Sequence, residues 1–241
     1  LKTIILAAGE GRRLHPLTID RPKAMLEVGG RTLFDRALEG LRKAGFDNSE
    51  IIILSGHKAD LLKSVAPECI FIHNEKYNST NNIYSLWLAR DMLAGEEFIL
   101  LNSDVLFSPR MAQDIISAPR ESVLLVDDVN PLIEEEMRVK VDDDLRVTAI
   151  AKTLKVKVSA GEYIGLARFG RDFSKALFDQ IGEMVNDGQT DVWYENAIND
   201  ILDSCPLYSL STKGLPWIEI DTHEDLARAS KIADDIKHME G

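Results

Sequence analysis

Between Leu6 and Leu26 the chain reads LAAGEGRRLHPLTIDRPKAML. Gly9 and Gly11 flank Glu10; Arg12 and Arg13 follow at once, and Lys23 comes after two prolines. Glycines let main-chain N–H groups approach a ligand closely, and such N–H groups in a turn form a concavity that holds anions. With cations around it, this stretch describes a seat for a polyphosphate. Two other phosphate loops do not fit. A P-loop needs a lysine followed by serine or threonine, and none stands here. The dinucleotide fingerprint needs a third glycine or alanine opening a helix. Leu14 stands there instead, and Pro16 and Pro22 disfavour a long helix. The spacing therefore predicts an extended loop in which Lys23 returns from the far side.

Two aspartates are the next candidates. Asp104 follows the apolar run FILLNS, where a carboxylate suits Mg²⁺, a hard cation that takes carboxylates together with substrate phosphates. Asp221 ends WIEID and has two roles open to it. It could cap the last helix, with Glu224 completing a capping box, or it could be a second metal ligand. Glu219, two residues earlier, points to the same side of the strand. His15, His57, His73, His223 and His238 are scattered without metal-ligand spacing, and no Ser-His-Asp or Cys-His set is evident.

The elements that must position these residues alternate. Strands are expected at 2–8, 51–56, 69–73, 97–104 and 122–128, with helices at 33–44, 59–66 and 83–93. Continuous Val/Ile/Leu runs separated by helices indicate a mostly parallel sheet covered on both faces. Ligands of such sheets lie beyond the C-terminal ends of the strands, where the glycine loop falls. The rhythm then changes. A hairpin at 138–141 and 146–151 turns at Asp142–Asp144. A strand at 162–170, helices at 171–185 and 193–203, strands at 207–211 and 217–220 and a helix at 222–238 follow. No linker or repeat interrupts the chain. It reads as one α/β domain over 1–241, with a nucleotide-binding half to about residue 110 and an acceptor-binding half after it.

The chain has 241 residues, 45% hydrophobic and 28% charged, enough to bury a sizeable core. Its net charge of −12 argues against nucleic acid as a partner, yet a single phosphate pocket needs only a few local cations. The acidic runs Glu134–Glu136 and Asp142–Asp144 read as solvated turns. No apolar run is long enough for a membrane span, and KTIILAA at the start reads as a strand rather than a leader. Cys69 and Cys205 read as reduced thiols, which suits a cytoplasmic protein.

Leu6-Ala7-Ala8-Gly9-Glu10-Gly11-Arg12-Arg13-Leu14, then Pro22-Lys23, then Glu27-Val28-Gly29-Gly30, resembles the hallmark of the sugar-phosphate nucleotidylyltransferase superfamily. The resemblance implies a Rossmann-like, GT-A-like nucleotidyltransferase fold with a small mixed β/α acceptor-binding part. It implies that residues Leu6, Ala7, Ala8, Gly9, Glu10 and Gly11 bind the nucleotide. Arg13 would face the departing phosphates, and Lys23 would bridge the α-phosphate and the acceptor phosphate. It assigns Asp104 and Asp221 to Mg²⁺, with Arg12 facing solvent. An acceptor phosphate is already an anion, so positioning and charge neutralisation carry such a reaction without a general base.

Asn74–Leu86, with Asn81, Asn82 and Ser85 opening a helix, is similar to a segment of bacterial CTP:phosphocholine cytidylyltransferases, as is Asp191–Ile198. That likeness places Asn81, Asn82 and Ser85 beside the base and ribose of CTP, although capping alone would also explain them. Trp193, Tyr194, Glu195 and Trp217 offer aromatic faces and a carboxylate to an ammonium group, with Glu162 nearby. Equally, the two tryptophans could be core residues. Phosphocholine, phosphoethanolamine and 2-aminoethylphosphonate suit the aromatic reading; inositol 1-phosphate and a sugar 1-phosphate remain alternatives. The resemblance leaves room for a homodimer.

Overall fold

The computed structural model describes residues 1–133 and 136–240. Of the acidic run 134–136, Glu134 and Glu135 thus lie outside the described residues. In chain order the elements are β1 (Lys2–Ala7), β2 (Glu27–Val28), β3 (Arg31–Thr32), α1 (Leu33–Lys43), β4 (Ile51–Ser55), α2 (Ala59–Val65) and β5 (Ile70–His73). Then come α3 (Asn82–Trp87), α4 (Arg90–Leu93), β6 (Phe98–Asn102), β7 (Val105–Phe107), α5 (Pro109–Ile116) and β8 (Val123–Asp127). The rest are β9 (Arg138–Val141), β10 (Val147–Ala151), β11 (Gly161–Phe169), α6 (Arg171–Asn186), α7 (Tyr194–Ile201), β12 (Tyr208–Ser211), β13 (Trp217–Glu219) and α8 (His223–Glu240). This is the α/β class expected, with helices alternating with the strands of a large central sheet.

The chain divides into two compact units, and neither is a continuous half. One comprises residues 3–79, 101–113 and 215–241; the other comprises 1–2, 80–100 and 114–214. In the first, β1, β4 and β5 pair in parallel, Ile5 opposite Ile53 and Ile53 opposite Phe71. Every residue of β4 is buried, which is why IIILS shows no alternation. A second layer holds β7 against β13, antiparallel, with Trp217 opposite Phe107 and Glu219 opposite Val105. Leu14 and Leu26, from the glycine loop, share a buried cluster with Leu106, Ile218 and Ile220 and with Ala229, Ala233 and Ile236 of α8. Burying a leucine side chain contributes about 1.5–3 kcal/mol, so this cluster clamps the loop to the strands that carry both aspartates.

In the other unit β11 is central. It pairs antiparallel with β8 and β9, β9 pairs with β10, and β12 lies parallel to β8. This is the mixed β/α part the sequence led us to expect. Phe98 and Phe169 form an aromatic core with Phe173 and Phe178 of α6, Phe169 and Phe173 being stacked at 5.2 Å. The hairpin at Asp142–Asp144 is present, its turn closed by Asp142 Oδ1 accepting from the N–H of Asp144 and of Arg146.

Some expectations change. The helix predicted over 83–93 is two pieces, α3 and α4, separated by a turn at Leu88 and Ala89. The strand predicted over 97–104 is β6, and Asp104 sits in the turn between β6 and β7. Helix α5 was not expected. Its start, Ser108-Pro109, carries the signal that could have found it, because proline suits the first helical position. Cys69 and Cys205 are both free thiols, as read. Among the described residues no helix is long and apolar enough to cross a membrane.

Candidate active site

The glycine loop leaves β1 and folds into two short 3-10 turns, Arg12–Leu14 and Lys23–Met25, rather than a long helix. Gly11 has φ +64°, a left-handed conformation that side chains resist, and a Cβ there would press on Lys23 at 3.1 Å. Its carbonyl accepts from the Thr18 hydroxyl and the Leu14 N–H. Gly9 has open space where a Cβ would stand, so no internal contact demands its glycine. Two residues that sequence reasoning left aside brace the loop from β4. Gly56 lies so close to Ala8 that a Cβ would come within 2.5 Å of its carbonyl oxygen. His57 donates its N–H to that same oxygen and sets its ring nitrogen 2.9 Å from the Thr18 carbonyl.

At the loop's far side Lys23 returns, as predicted. Its Nζ donates to Asp104 Oδ2 at 2.9 Å and to Asp221 Oδ1 at 2.5 Å. Burial alone would depress its pKa, but the two carboxylates outweigh that and hold the ammonium well above its ordinary range. Arg13 donates to the other oxygen of Asp221 at 2.5 Å. Burial would raise the Asp221 pKa, yet Lys23 and Arg13 bring it below the usual value. The aspartates are registered by the backbone, since the Ile220 N–H donates to the Asp104 carbonyl. Glu219 joins them: Asp104, Glu219 and Asp221 each offer an oxygen, all within 4.8 Å of one another. Arg12 points outward, paired with Glu10.

Mg²⁺ fits this carboxylate set. Asp104 Oδ1 is buried without a hydrogen-bond partner, an unused hard oxygen beside two more carboxylates. With all three ionised and Lys23 and Arg13 charged, the cluster keeps a formal negative charge that a cation would balance.

Asp221 does not cap α8, which corrects the capping-box expectation. Thr222 Oγ1 accepts from the Asp225 N–H, and Asp225 Oδ2 accepts from the N–H groups of Thr222 and Asp221. The box is therefore Thr222 with Asp225, not Asp221 with Glu224. This leaves the Asp221 carboxylate to Lys23 and Arg13. Thr222→Val should lower stability by about 1 kcal/mol, read as a reduced urea midpoint at unchanged m-value; an unchanged midpoint would remove Thr222 from the cap.

The other unit gathers a second group. Asn81 accepts from the Asn82 N–H at the start of α3, and Ser85 is buried one turn on. Asn82 Oδ1 accepts from the Tyr194 N–H at 2.8 Å, so it caps α7 from outside that helix. Tyr194 is buried with its hydroxyl 2.9 Å from that of Tyr163, a partner the sequence did not reveal. Glu195 is only 5% exposed, and its Oε2 has no hydrogen-bond partner. Burial pushes its pKa up to about 7, against the opposing pull of its own backbone, Tyr194, Asn82 and Lys152. Trp193 is not core. It is 41% exposed, and the Lys152 ammonium lies 5.2 Å from its ring centroid. Glu162 is half-buried on β11 opposite Asp127 and Arg138. Trp217 is half-buried on β13, in the unit that holds the glycine loop.

Comparison with known proteins identifies the family. The model of the MobA-like NTP transferase domain fits residues 3–134. The choline-phosphate cytidylyltransferase of Streptococcus pneumoniae is 28% identical over 237 residues, covering 96% of this chain and 98% of that protein. The CTP:phosphoglutamine cytidylyltransferase of Campylobacter jejuni is 28% identical over 214 residues, covering 81% and 82%. The solved CTP:phosphocholine cytidylyltransferase of S. pneumoniae has a TM-score of 0.80 at 26% identity, covering 96% of this chain and 98% of that one. The inositol-1-phosphate CTP transferase of T. maritima shares the fold, with a TM-score of 0.82 at 22% identity over 98% of this chain and 96% of that one. The glycine loop, Lys23 and Asp104 thus sit within a match spanning more than half of the chain, and the protein belongs to the MobA-like NTP transferase domain family as a nucleotidyltransferase.

Proposed function

We propose that the protein is a Mg²⁺-dependent cytidylyltransferase. It moves CMP from CTP to a small phosphomonoester or phosphonate that bears an ammonium group, phosphocholine-like, and releases pyrophosphate. The observation that carries the reading is Lys23 Nζ held between Asp104 and Asp221 at the end of the glycine loop. The relatives named for CTP:phosphoglutamine, choline-phosphate and 2-aminoethylphosphonate chemistry support the nucleotide and the acceptor class.

In this reading the acceptor oxygen attacks the α-phosphorus and pyrophosphate leaves in line. Main-chain N–H groups of residues Leu6, Ala7, Ala8, Gly9, Glu10 and Gly11 seat the triphosphate. Arg13 neutralises the leaving phosphates. Lys23 draws the two reacting phosphates together, its ammonium charged throughout the working pH range. Asp104 and Asp221, with Glu219, hold Mg²⁺, which when bound neutralises phosphate charge that would repel the nucleophile. Asn81, Asn82 and Ser85 serve the base and ribose, and Asn82 does so while holding the N-terminus of α7. Trp193, Tyr194 and Glu195, with Glu162 and Trp217, serve the acceptor; a carboxylate beside an indole face attracts ammonium.

The test is pyrophosphate release across CTP, UTP, ATP, GTP and dTTP, each with phosphocholine, phosphoethanolamine, 2-aminoethylphosphonate, inositol 1-phosphate and glucose 1-phosphate. The expected result is turnover with CTP and an amine-bearing acceptor, with kcat/KM at least about tenfold above any other nucleotide, a difference of about 1.4 kcal/mol. Preference for UTP or dTTP with glucose 1-phosphate would replace this reading by a sugar-nucleotide one.

A further inference from the structure

Two carbonyls of the glycine loop are held from behind. The His57 N–H donates to the Ala8 carbonyl at 3.2 Å. The Leu14 N–H and the Thr18 hydroxyl donate to the Gly11 carbonyl at 2.9 and 2.8 Å. Among the described residues the one cis peptide lies between His15 and Pro16, so the bonds that follow Ala8 and Gly11 are trans. A trans peptide sends its N–H opposite to its C=O. Fixing these two carbonyls therefore turns the N–H groups of Gly9 and Arg12 the other way. Among the described residues neither N–H has a protein acceptor. Main-chain donors left open at a glycine turn are what an anion takes up.

One side chain completes this brace. Thr18 is fully buried, and its carbonyl lies 2.9 Å from His57 Nε2. A carbonyl oxygen only accepts, so Nε2 carries the proton and donates. His57 thus holds the loop twice, at Ala8 through its main chain and at Thr18 through its ring, and the Thr18 hydroxyl passes the hold on to Gly11. The ring has its own support. Tyr77 lies beside it, with centroids 6.0 Å apart and planes tilted by 56°. Gly56 allows that approach, since a Cβ there would come within 2.7 Å of the Tyr77 Cβ. We propose that His57 is a positioning residue for nucleotide binding: its ring N–H, acting through Thr18 and Gly11, sets the main-chain N–H groups that take the triphosphate. The assignment rests on the glycine loop being the triphosphate seat, and it holds for whichever base the enzyme prefers.

The experiment compares His57→Phe with His57→Gln in the whole chain. Phenylalanine keeps a ring beside Tyr77 and the main-chain bond to Ala8 but removes the donor; glutamine restores an N–H at the end of its side chain. Isothermal titration calorimetry with Mg²⁺ measures the Kd of CTP and of inorganic tripolyphosphate, which has no base or ribose. Partial misfolding changes the apparent number of sites and leaves Kd untouched. His57→Phe is expected to raise both Kd values about tenfold, the scale of a hydrogen bond lost with its buried carbonyl left unpaired. His57→Gln should bind both within about threefold of wild type. A tripolyphosphate Kd in His57→Phe within about twofold of wild type overturns the assignment, because the ring would then act elsewhere than on the phosphates. Binding by His57→Gln as weak as that by His57→Phe also overturns it, since packing rather than the donor would decide. If the wild type binds tripolyphosphate but not CTP, the cytidylyltransferase reading falls and His57 is judged on tripolyphosphate alone. If it binds neither, both fall.

Discussion

Lys23→Met should lower kcat/KM by about 10²–10³-fold, the scale on which removal of one preorganised charge or donor at a transition state is felt. The residue is only 11% exposed on its side chain and contacts both aspartates, whereas Arg13 contacts Asp221 from the outer side. The same substitution should move a second quantity in the opposite direction. With the ammonium gone, Asp104 and Asp221 face each other with Glu219 and no lysine between them. Mn²⁺, used as a spectroscopic stand-in, should then bind the free variant more tightly than the wild type, as read by electron paramagnetic resonance without nucleotide. Weaker rate with tighter metal distinguishes loss of a charged bridge from loss of fold. A variant within threefold of wild-type rate would remove Lys23 from the chemistry, and unchanged Mn²⁺ affinity would place the metal elsewhere.

Glu195→Gln should make the protein more stable at pH 8 and should remove a pH dependence. Burial holds the folded-state pKa near 7, above the ordinary 4.5. Between those values the folded chain retains a proton that the unfolded chain has released. Stability therefore falls as pH rises from about 4.5 to 7 and is level above. The full difference is on the order of 2–4 kcal/mol at 1.36 kcal/mol per pKa unit. Urea unfolding of both proteins at pH 5 and pH 8 checks it: the variant should gain on the wild type only at the higher pH. Equal gains at both would mean that packing, not charge, decides. An ammonium acceptor should favour the ionised form, so its KM in the wild type should fall as pH rises through 7, and this trend should vanish in Glu195→Gln. A stabilising change that abolishes acceptor selection is the mark of a carboxylate kept buried for binding.

Much of the candidate site was legible in the chain because its signals are local. Gly11 is a glycine for the left-handed turn it occupies, and the prolines around it prevent the helix that a dinucleotide loop would open. Asp104 and Asp221 could be picked out because each ends an apolar run, where a polar side chain needs a reason. The strands β1 and β4 announced themselves as unbroken apolar segments, since both faces of each are covered. Other local signals misled where two fit one stretch. Asp221 reads both as a cap and as a metal ligand, and only the backbone entering α8 decides that the neighbouring Thr222 reaches the free N–H groups instead. The apolar period of 83–93 continues through Leu88 and Ala89, but the backbone turns there.

What the sequence by itself determined is the local make-up of the candidate site: a glycine loop without a long helix, a returning lysine, and carboxylates at strand ends, all set by residue type and short-range conformation. Tertiary structure alone decided who meets whom. Lys23 is separated from Asp104 by 81 residues and from Asp221 by 198, and the chain brings them together because residues 101–113 and 215–241 return to the unit holding the loop. Lys152 stands on Trp193 because Asn199 ties α7 to β10, and no spacing along the chain encodes that contact. Local propensity acts over a turn or a strand, whereas these pairings follow from burying apolar faces that lie far apart in sequence.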